Sequence, residues 1–280
     1  MGPVLLISAR GMLGRAFEAE LRRRSTPFTV ANRESVDLAR PESIKLAGNS
    51  NTEIVINCAA WTDVDGAEAN EAAAKVVNGE GAQILAERCA KIGARLITFG
   101  TDYVFSGKSI SPYGTDQARD PVNAYGRSKA AGEVVLEASA CDWLNIRTSW
   151  LYAPWGKNFV LTIRKLLFEK PSIKVVNDQR GRPTSAEHLA RTTMALLDRG
   201  ASGHWHATDG GECSWFEFAQ EIGRLAGAPG RVEPCASAEF PRPAKRPAYS
   251  VLDISKTEAL VGAMPRWQDN LADVMSRLVT

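Results

Sequence analysis

The strongest constraint on the fold is an alternation. Short apolar runs at residues 4–7, 28–31, 53–57, 95–99 and 142–147 are separated by stretches with helical spacing. Leu13, Phe17 and Leu21 share one face after the first run, and Val77, Ile84 and Leu85 recur along an alanine-rich stretch over 71–92. Parallel strands need long crossovers, usually helices, so this alternation predicts an α/β chain with a doubly wound parallel sheet. Ligands of such sheets sit beyond the carboxyl ends of the strands.

The segment after the first run is Ser8-Ala9-Arg10-Gly11-Met12-Leu13-Gly14. Strand, glycine turn and helix is the context of a dinucleotide-binding loop, where small residues admit a pyrophosphate to the helix N-terminus. Ser8 stands where the G-x-x-G-x-x-G pattern has its first glycine, and an ordinary tight turn reads the same way. The second run leads into Asn32-Arg33 with no acid at its end, so nothing there favours the 2′-hydroxyl of NAD. Arg10 and Arg33 are candidates for a 2′-phosphate, or are two solvated arginines. Asp37 and Leu38 are candidates at the adenine side.

A second signal is Tyr125-Gly126-Arg127-Ser128-Lys129, at the start of a helix opened by Pro121 and Asn123. Tyr125 and Lys129 are four residues apart and share a helix face. A nearby ammonium favours phenolate and lowers the phenol's pKa, and a lysine can also bind a ribose hydroxyl. That pairing suits a proton donor for a carbonyl being reduced. Tyr-x-x-x-Lys alone also arises by chance.

The bulk numbers exclude other classes. A formal net charge of +2 argues against a nucleic-acid binder. The five cysteines have no Cys-x-x-Cys spacing, which fits a reducing compartment. His204 and His206 read as alternate strand residues, and no metal site is expected. There is no long apolar run for a membrane span and no secretory signal, so a cytoplasmic protein is expected. Beyond residue 147 glycine, proline and loop aromatics become frequent. Strands are expected at 173–176 and 203–207, a loop at 181–184, Ser185 as the cap of a helix to 197, and helices at 214–225 and 271–279. The basic loop 240–247 is expected to be solvated or to face a diphosphate.

The chain resembles the extended short-chain dehydrogenase/reductases, and within them the dTDP-4-dehydrorhamnose reductase family. The resemblance rests on Gly11-Met12-Leu13-Gly14, Asn57-Cys58-Ala59-Ala60-Trp61-Thr62-Asp63-Val64-Asp65, Thr101-Asp102-Tyr103-Val104-Phe105, the Tyr125–Lys129 segment and Arg147-Thr148-Ser149-Trp150. It extends through Gly156-Lys157-Asn158-Phe159-Val160, Asp178-Gln179, Gly181, Pro183-Thr184-Ser185, Ser214-Trp215 and Arg246-Pro247. It implies a Rossmann-type dinucleotide-binding domain over 1–148, joined by 185–206, and a smaller α/β, mainly substrate-binding domain over 149–280. It implies reduction of the C4 ketone of dTDP-4-dehydrorhamnose by NADPH, with NADH as the alternative cofactor. Tyr125 would be the proton donor, Lys129 the ribose-facing cation and Thr101 a hydroxyl at the substrate oxygen. Asp102 and Trp150 would touch the sugar nucleotide. Gly11, Met12, Leu13, Gly14, Ala60, Trp61, Thr62 and Phe99 would form the cofactor shell with Asp37 and Leu38. Ala16 stands where some members have a glutamate that serves a magnesium-linked dimer; a homodimer stays open. The alternatives are a reductase of another nucleotide-linked 4-ketosugar and a non-catalytic nucleotide-binding regulatory subunit.

Overall fold

The computed structural model describes residues 2–228 and 231–278. Its centre is a six-stranded sheet: β1 (Val4–Ile7), β2 (Phe28–Ala31), β3 (Ile54–Asn57), β4 (Arg95–Thr101), β5 (Trp143–Thr148) and β6 (Gly203–His206). The spatial order is β2-β1-β3-β4-β5-β6, and every neighbouring pair is parallel. All four residues of β1 are buried, as a central strand covered on both faces requires. The order reverses between β1 and β3, which opens a crevice at the carboxyl ends of those strands.

Each face of the sheet has its own core. On one face Leu13, Phe17 and Leu21 of helix Met12–Arg23 pack with Leu189 and Met194 of helix Ala186–Asp198. On the other, Leu85 and Cys89 of helix Gly81–Ile92 pack with Leu136 of helix Ala124–Glu137. A further core joins helices Phe159–Glu169, Trp215–Leu225 and Trp267–Ser276 through Val160, Phe218, Ile222 and Leu271. Ser185 caps its helix by accepting from the His188 N–H, as expected.

Three expectations are corrected. The stretch 71–92 is not one regular helix: Glu71–Lys75 passes through a π turn, Val76–Glu80, into Gly81–Ile92. The expected loop at 181–184 carries two short strands, Arg180–Gly181 paired with Cys213–Ser214 and Thr184–Ser185 paired with Leu151–Tyr152. The last helix starts at Trp267 rather than 271, because Trp267 is itself a core residue; Val279 lies outside the described residues.

Candidate functional site

A cavity of about 550 Å³ lies along the carboxyl ends of β1, β3, β4 and β5. At its β1 end Ser8 has φ +65°, the left-handed region where glycine is the unstrained residue. This explains the glycine of the pattern and shows that serine accepts the same turn at a cost. Gly14 packs under it: a Cβ there would stand 2.1 Å from the Ser8 carbonyl oxygen. Helix Met12–Arg23 begins at Gly11 with no side-chain cap and no acid in its first turn. Its leading N–H groups therefore suit an anionic ligand, and a dinucleotide pyrophosphate fits them.

The floor is shaped by the π turn, a device that recurs at functional sites. It presents Asn78, which is buried in the cavity wall. Its Oδ1 accepts from the Trp61 N–H at 2.9 Å, and its Nδ2 donates to the Trp61 carbonyl at 3.1 Å and to Ser128 Oγ at 2.9 Å. One side chain thus ties the segment after β3 to the Tyr125 helix.

That helix is capped by Asn123, whose Oδ1 accepts from the Gly126 N–H at 2.7 Å. Tyr125 and Lys129 both face the cavity. The expected lowering of the Tyr125 pKa is not found. Burial raises it to about 12, with the Thr101 hydroxyl pulling down and the Asp102 charge adding to the rise. Lys129 instead donates to the Phe99 carbonyl at 2.6 Å, and burial lowers its own pKa to about 8. At neutral pH the phenol is therefore protonated, which is the form a proton donor needs.

Thr101 and Asp102 follow at the end of β4. Thr101 Oγ1 donates to Asp102 Oδ1 at 3.0 Å, while Asp102 Oδ2 has no partner although the residue is 2% exposed. Burial pushes this carboxyl up to about 7. A buried acceptor left open on a cavity wall suits a ligand hydroxyl. Thr148 Oγ1 on the same wall is likewise unpartnered. The far end is aromatic. Trp150 has φ +47° and stacks on Trp215 at 3.6 Å between ring centroids. Gly181 makes room for it, since a Cβ there would lie 2.6 Å from the indole.

The structure brings most of the expected residues together. Gly11, Met12, Leu13 and Leu38 line the cavity with Ala60, Thr62 and Phe99, and so do Thr101, Asp102, Tyr125, Lys129 and Trp150. Gly14 acts beneath the loop, and Trp61 turns its indole to the Asp63 carbonyl. Arg10, Arg33 and Asp37 stand outside the cavity wall. Arg10 pairs with Glu34 at 3.0 Å, and Arg33 with Asp37 at 3.3 Å. Asp37 also accepts from the Ala39 N–H, which holds its carboxyl below the usual range. Of the basic loop, Arg242 and Arg246 pair with Asp65 at 3.0 and 2.5 Å rather than facing the cavity. Sequence reasoning missed Asn78, Glu133, Thr148, Lys157 and Trp215 as wall residues. The last three sit in quoted motif blocks, which was the available signal. Among the described residues no cluster of His, Cys, Asp or Glu could hold a metal ion.

The family model described as RmlD substrate binding domain matches residues 2–280. The chain belongs to the RmlD family. It is 37% identical to a dTDP-4-dehydrorhamnose reductase of Burkholderia thailandensis over 95% of both chains. It is 41% identical to a dTDP-4-keto-6-deoxy-D-glucose reductase of Streptomyces niveus, over 89% of this chain and 87% of that one. Among solved structures, a dTDP-4-dehydrorhamnose reductase of Bacillus anthracis in complex with NADP superposes with a TM-score of 0.94 at 33% identity, covering 99% of each chain. This member of the RmlD family thus pairs a Rossmann-type sheet with a cavity lined by Tyr125, Lys129 and Thr101. No helix among the described residues is long and apolar enough to cross a membrane.

Proposed function

We propose that the protein reduces the C4 ketone of dTDP-4-dehydrorhamnose to give dTDP-L-rhamnose, with NADPH as reductant. The observation that carries this reading is the meeting of Tyr125, Thr101 and Lys129 in one cavity. That cavity runs from an uncapped helix N-terminus to an aromatic wall. The names of the relatives at 37–41% identity support the substrate class.

When bound, NADPH supplies the hydride that reduces the carbonyl carbon. The first turn of helix Met12–Arg23, Ala60, Thr62 and Lys129 would hold it. Tyr125 donates its phenolic proton to the C4 oxygen as the carbonyl electron pair moves onto that oxygen, and the tyrosinate is reprotonated from solvent. Thr101, whose hydroxyl proton rests on Asp102 Oδ1, would turn that proton onto the same oxygen. Asp102 offers its open Oδ2 to a sugar hydroxyl. Trp150 supplies an apolar face for the sugar, and the stack on Trp215 fixes its ring. We assign 1–148 with 185–206 to cofactor binding and most of 149–280 to substrate binding.

The Streptomyces niveus relative favours one second reading, a reductase of the D-gluco 4-ketosugar. A panel of nucleotide-linked 4-ketosugars, compared by kcat/KM with NADPH, separates the two. The highest value is expected for dTDP-4-dehydrorhamnose. A preference for the D-gluco substrate would replace that assignment, and cofactor affinity without turnover on any of them would point to a binding module.

A further inference from the structure

Glu133 lies one turn beyond Lys129 on the same helix face, and both side chains line the cavity. The Lys129 ammonium is held on the Phe99 carbonyl. The next residue is Gly100, where a Cβ would stand 2.8 Å from Glu133 Oε1. The bare Cα of Gly100 thus lets the carboxylate approach within one peptide unit of the carbonyl that anchors the ammonium. Glu133 is fixed there by four donors. Arg147 gives two, Nε at 2.9 Å and Nη2 at 2.8 Å; Asn145 Nδ2 lies at 3.1 Å and Arg119 Nη1 at 3.2 Å. Glu133 is 2% and Arg147 1% exposed. A buried ion pair is a poor source of net stability compared with an apolar pair of the same shape, so stability alone is a weak reason for this one.

We propose that Glu133 is a positioning residue for the reaction, the buried counter-ion that keeps Lys129 in its ammonium form. This rests on the reading of Lys129 as the ribose-facing cation. Burial drives Lys129 toward the neutral amine, and Glu133 is the charge that resists it. The other titratable groups on or beside the cavity wall do not replace it. Tyr125 on the same helix is a neutral phenol. Tyr103 after β4 and Cys58 after β3 are held protonated by burial. Asp102 is pushed up to about 7 and is only partly ionised at neutrality. Arg147 from β5 is a cation. Burial alone would raise Glu133 as well, but the Arg147 guanidinium holds it in the carboxylate form.

The sign follows directly. If catalysis needs the ammonium, kcat/KM falls as pH rises through the Lys129 pKa, near 8. Removing Glu133 moves that alkaline limb to lower pH by about one unit, at the low end of shifts from a single neighbouring charge. Glu133→Gln alone strands Arg147, so the variant to test is Glu133→Gln with Arg147→Met, read against Arg147→Met alone, since loss of that cation by itself moves the Lys129 limb to higher pH. Two profiles are read against pH: kcat/KM for the ketosugar, and the NADPH dissociation constant from fluorescence without sugar. Both limbs are expected to shift down together, and Glu133→Asp, which keeps the charge and its partner, is expected to restore them. Should the double variant not fold, Gly100→Ala gives the same reading, because its Cβ presses on Glu133 Oε1 and Arg147 Cγ alike, at 2.8 Å each, and moves the pair while keeping both charges. Unchanged limbs with only a lower melting temperature would overturn the proposal. A wild-type protein that binds NADPH but reduces no ketosugar would fail the functional reading alone, and the binding profile would still decide on Glu133.

Discussion

The two arginines proposed for the 2′ side of the cofactor illustrate how weak contacts can yield to stronger ones. Arg10 and Arg33 are more than three-quarters exposed and pair with Glu34 and Asp37. Exposed pairs of this kind are worth roughly 0–1 kcal/mol. A hydrogen bond to a charged group is worth about 1.5–3 kcal/mol, so a 2′-phosphate brought near this edge outcompetes either carboxylate. Replacing both arginines by alanine should lower kcat/KM for NADPH by about tenfold or more, one contact being worth at least about 1.4 kcal/mol, and leave NADH nearly unchanged. Equal losses with both cofactors would remove the arginines from the 2′ side. In the sequence these residues and Asp37 were visible as candidates, but their pairing with acids was not, because pairing across a turn depends on backbone path. Tyr125 and Lys129 were legible for the opposite reason: four residues on a helix fix their common face. Glu133 obeys the same spacing but passes for a solvent-facing helix acid until Arg147, fourteen residues on, is seen to cover it.

At the scale of elements, the π turn and the Tyr125 helix form one unit. Gly132 lets them meet: a Cβ there would stand 2.2 Å from the Asn78 carbonyl oxygen. Gly79 on the same contact would meet only the Ala131 methyl at 3.5 Å, an ordinary distance. Gly132→Ala should therefore cost about 1–3 kcal/mol, the usual penalty for overpacking, and weaken NADPH binding by displacing Asn78. Gly79→Ala should be neutral or slightly stabilising, since alanine favours a helix interior over glycine by roughly 1 kcal/mol. Denaturant unfolding of the two variants checks this; equal stability would mean the helices have slack at Gly132. The sequence showed the alanine-rich helix by its apolar period and the Tyr125 helix by its opening Pro121 and Asn123, yet not the turn between Val76 and Glu80. One inserted residue of phase is too small a change in an alanine-rich pattern to see. The six strands of the sheet, including β6 far along the chain, were legible because a buried parallel strand is a short apolar or alternating run bounded by turns.

Across the whole molecule, long-range ion pairs clamp the loop after residue 240 onto the segment after β3. Asp65 accepts from Arg246 at 2.5 Å and from the Ala244 N–H at 3.1 Å. The Arg246 contact holds its pKa at about 2 against an ordinary 3.8. A folded value below the unfolded one stabilises the fold above about pH 4, and that stability is lost as pH falls toward 2. The full linkage is at most about 2 kcal/mol, and less with solvent screening; Asp65→Asn should remove it, so the gap between wild type and variant closes on acidification. A gap that stays constant from neutrality to pH 2 would show that the contact is not charge-based. The contact spans 181 residues, and its two ends carry no shared pattern in the sequence. The basic loop was thus legible only as a loop. The proposed reaction requires a hydride to reach C4 while Tyr125 delivers the proton. Reduction of dTDP-4-dehydrorhamnose with NADPH deuterated at the transferred position tests it most directly, with the product read by NMR. One deuterium at C4 of the rhamnosyl unit is predicted for the wild type, and at least a hundredfold slower formation of the same product for Tyr125→Phe, the lower bound for a positioned proton donor being about 100-fold. Deuterium absent from C4, or a Tyr125→Phe variant as fast as wild type, would contradict the account.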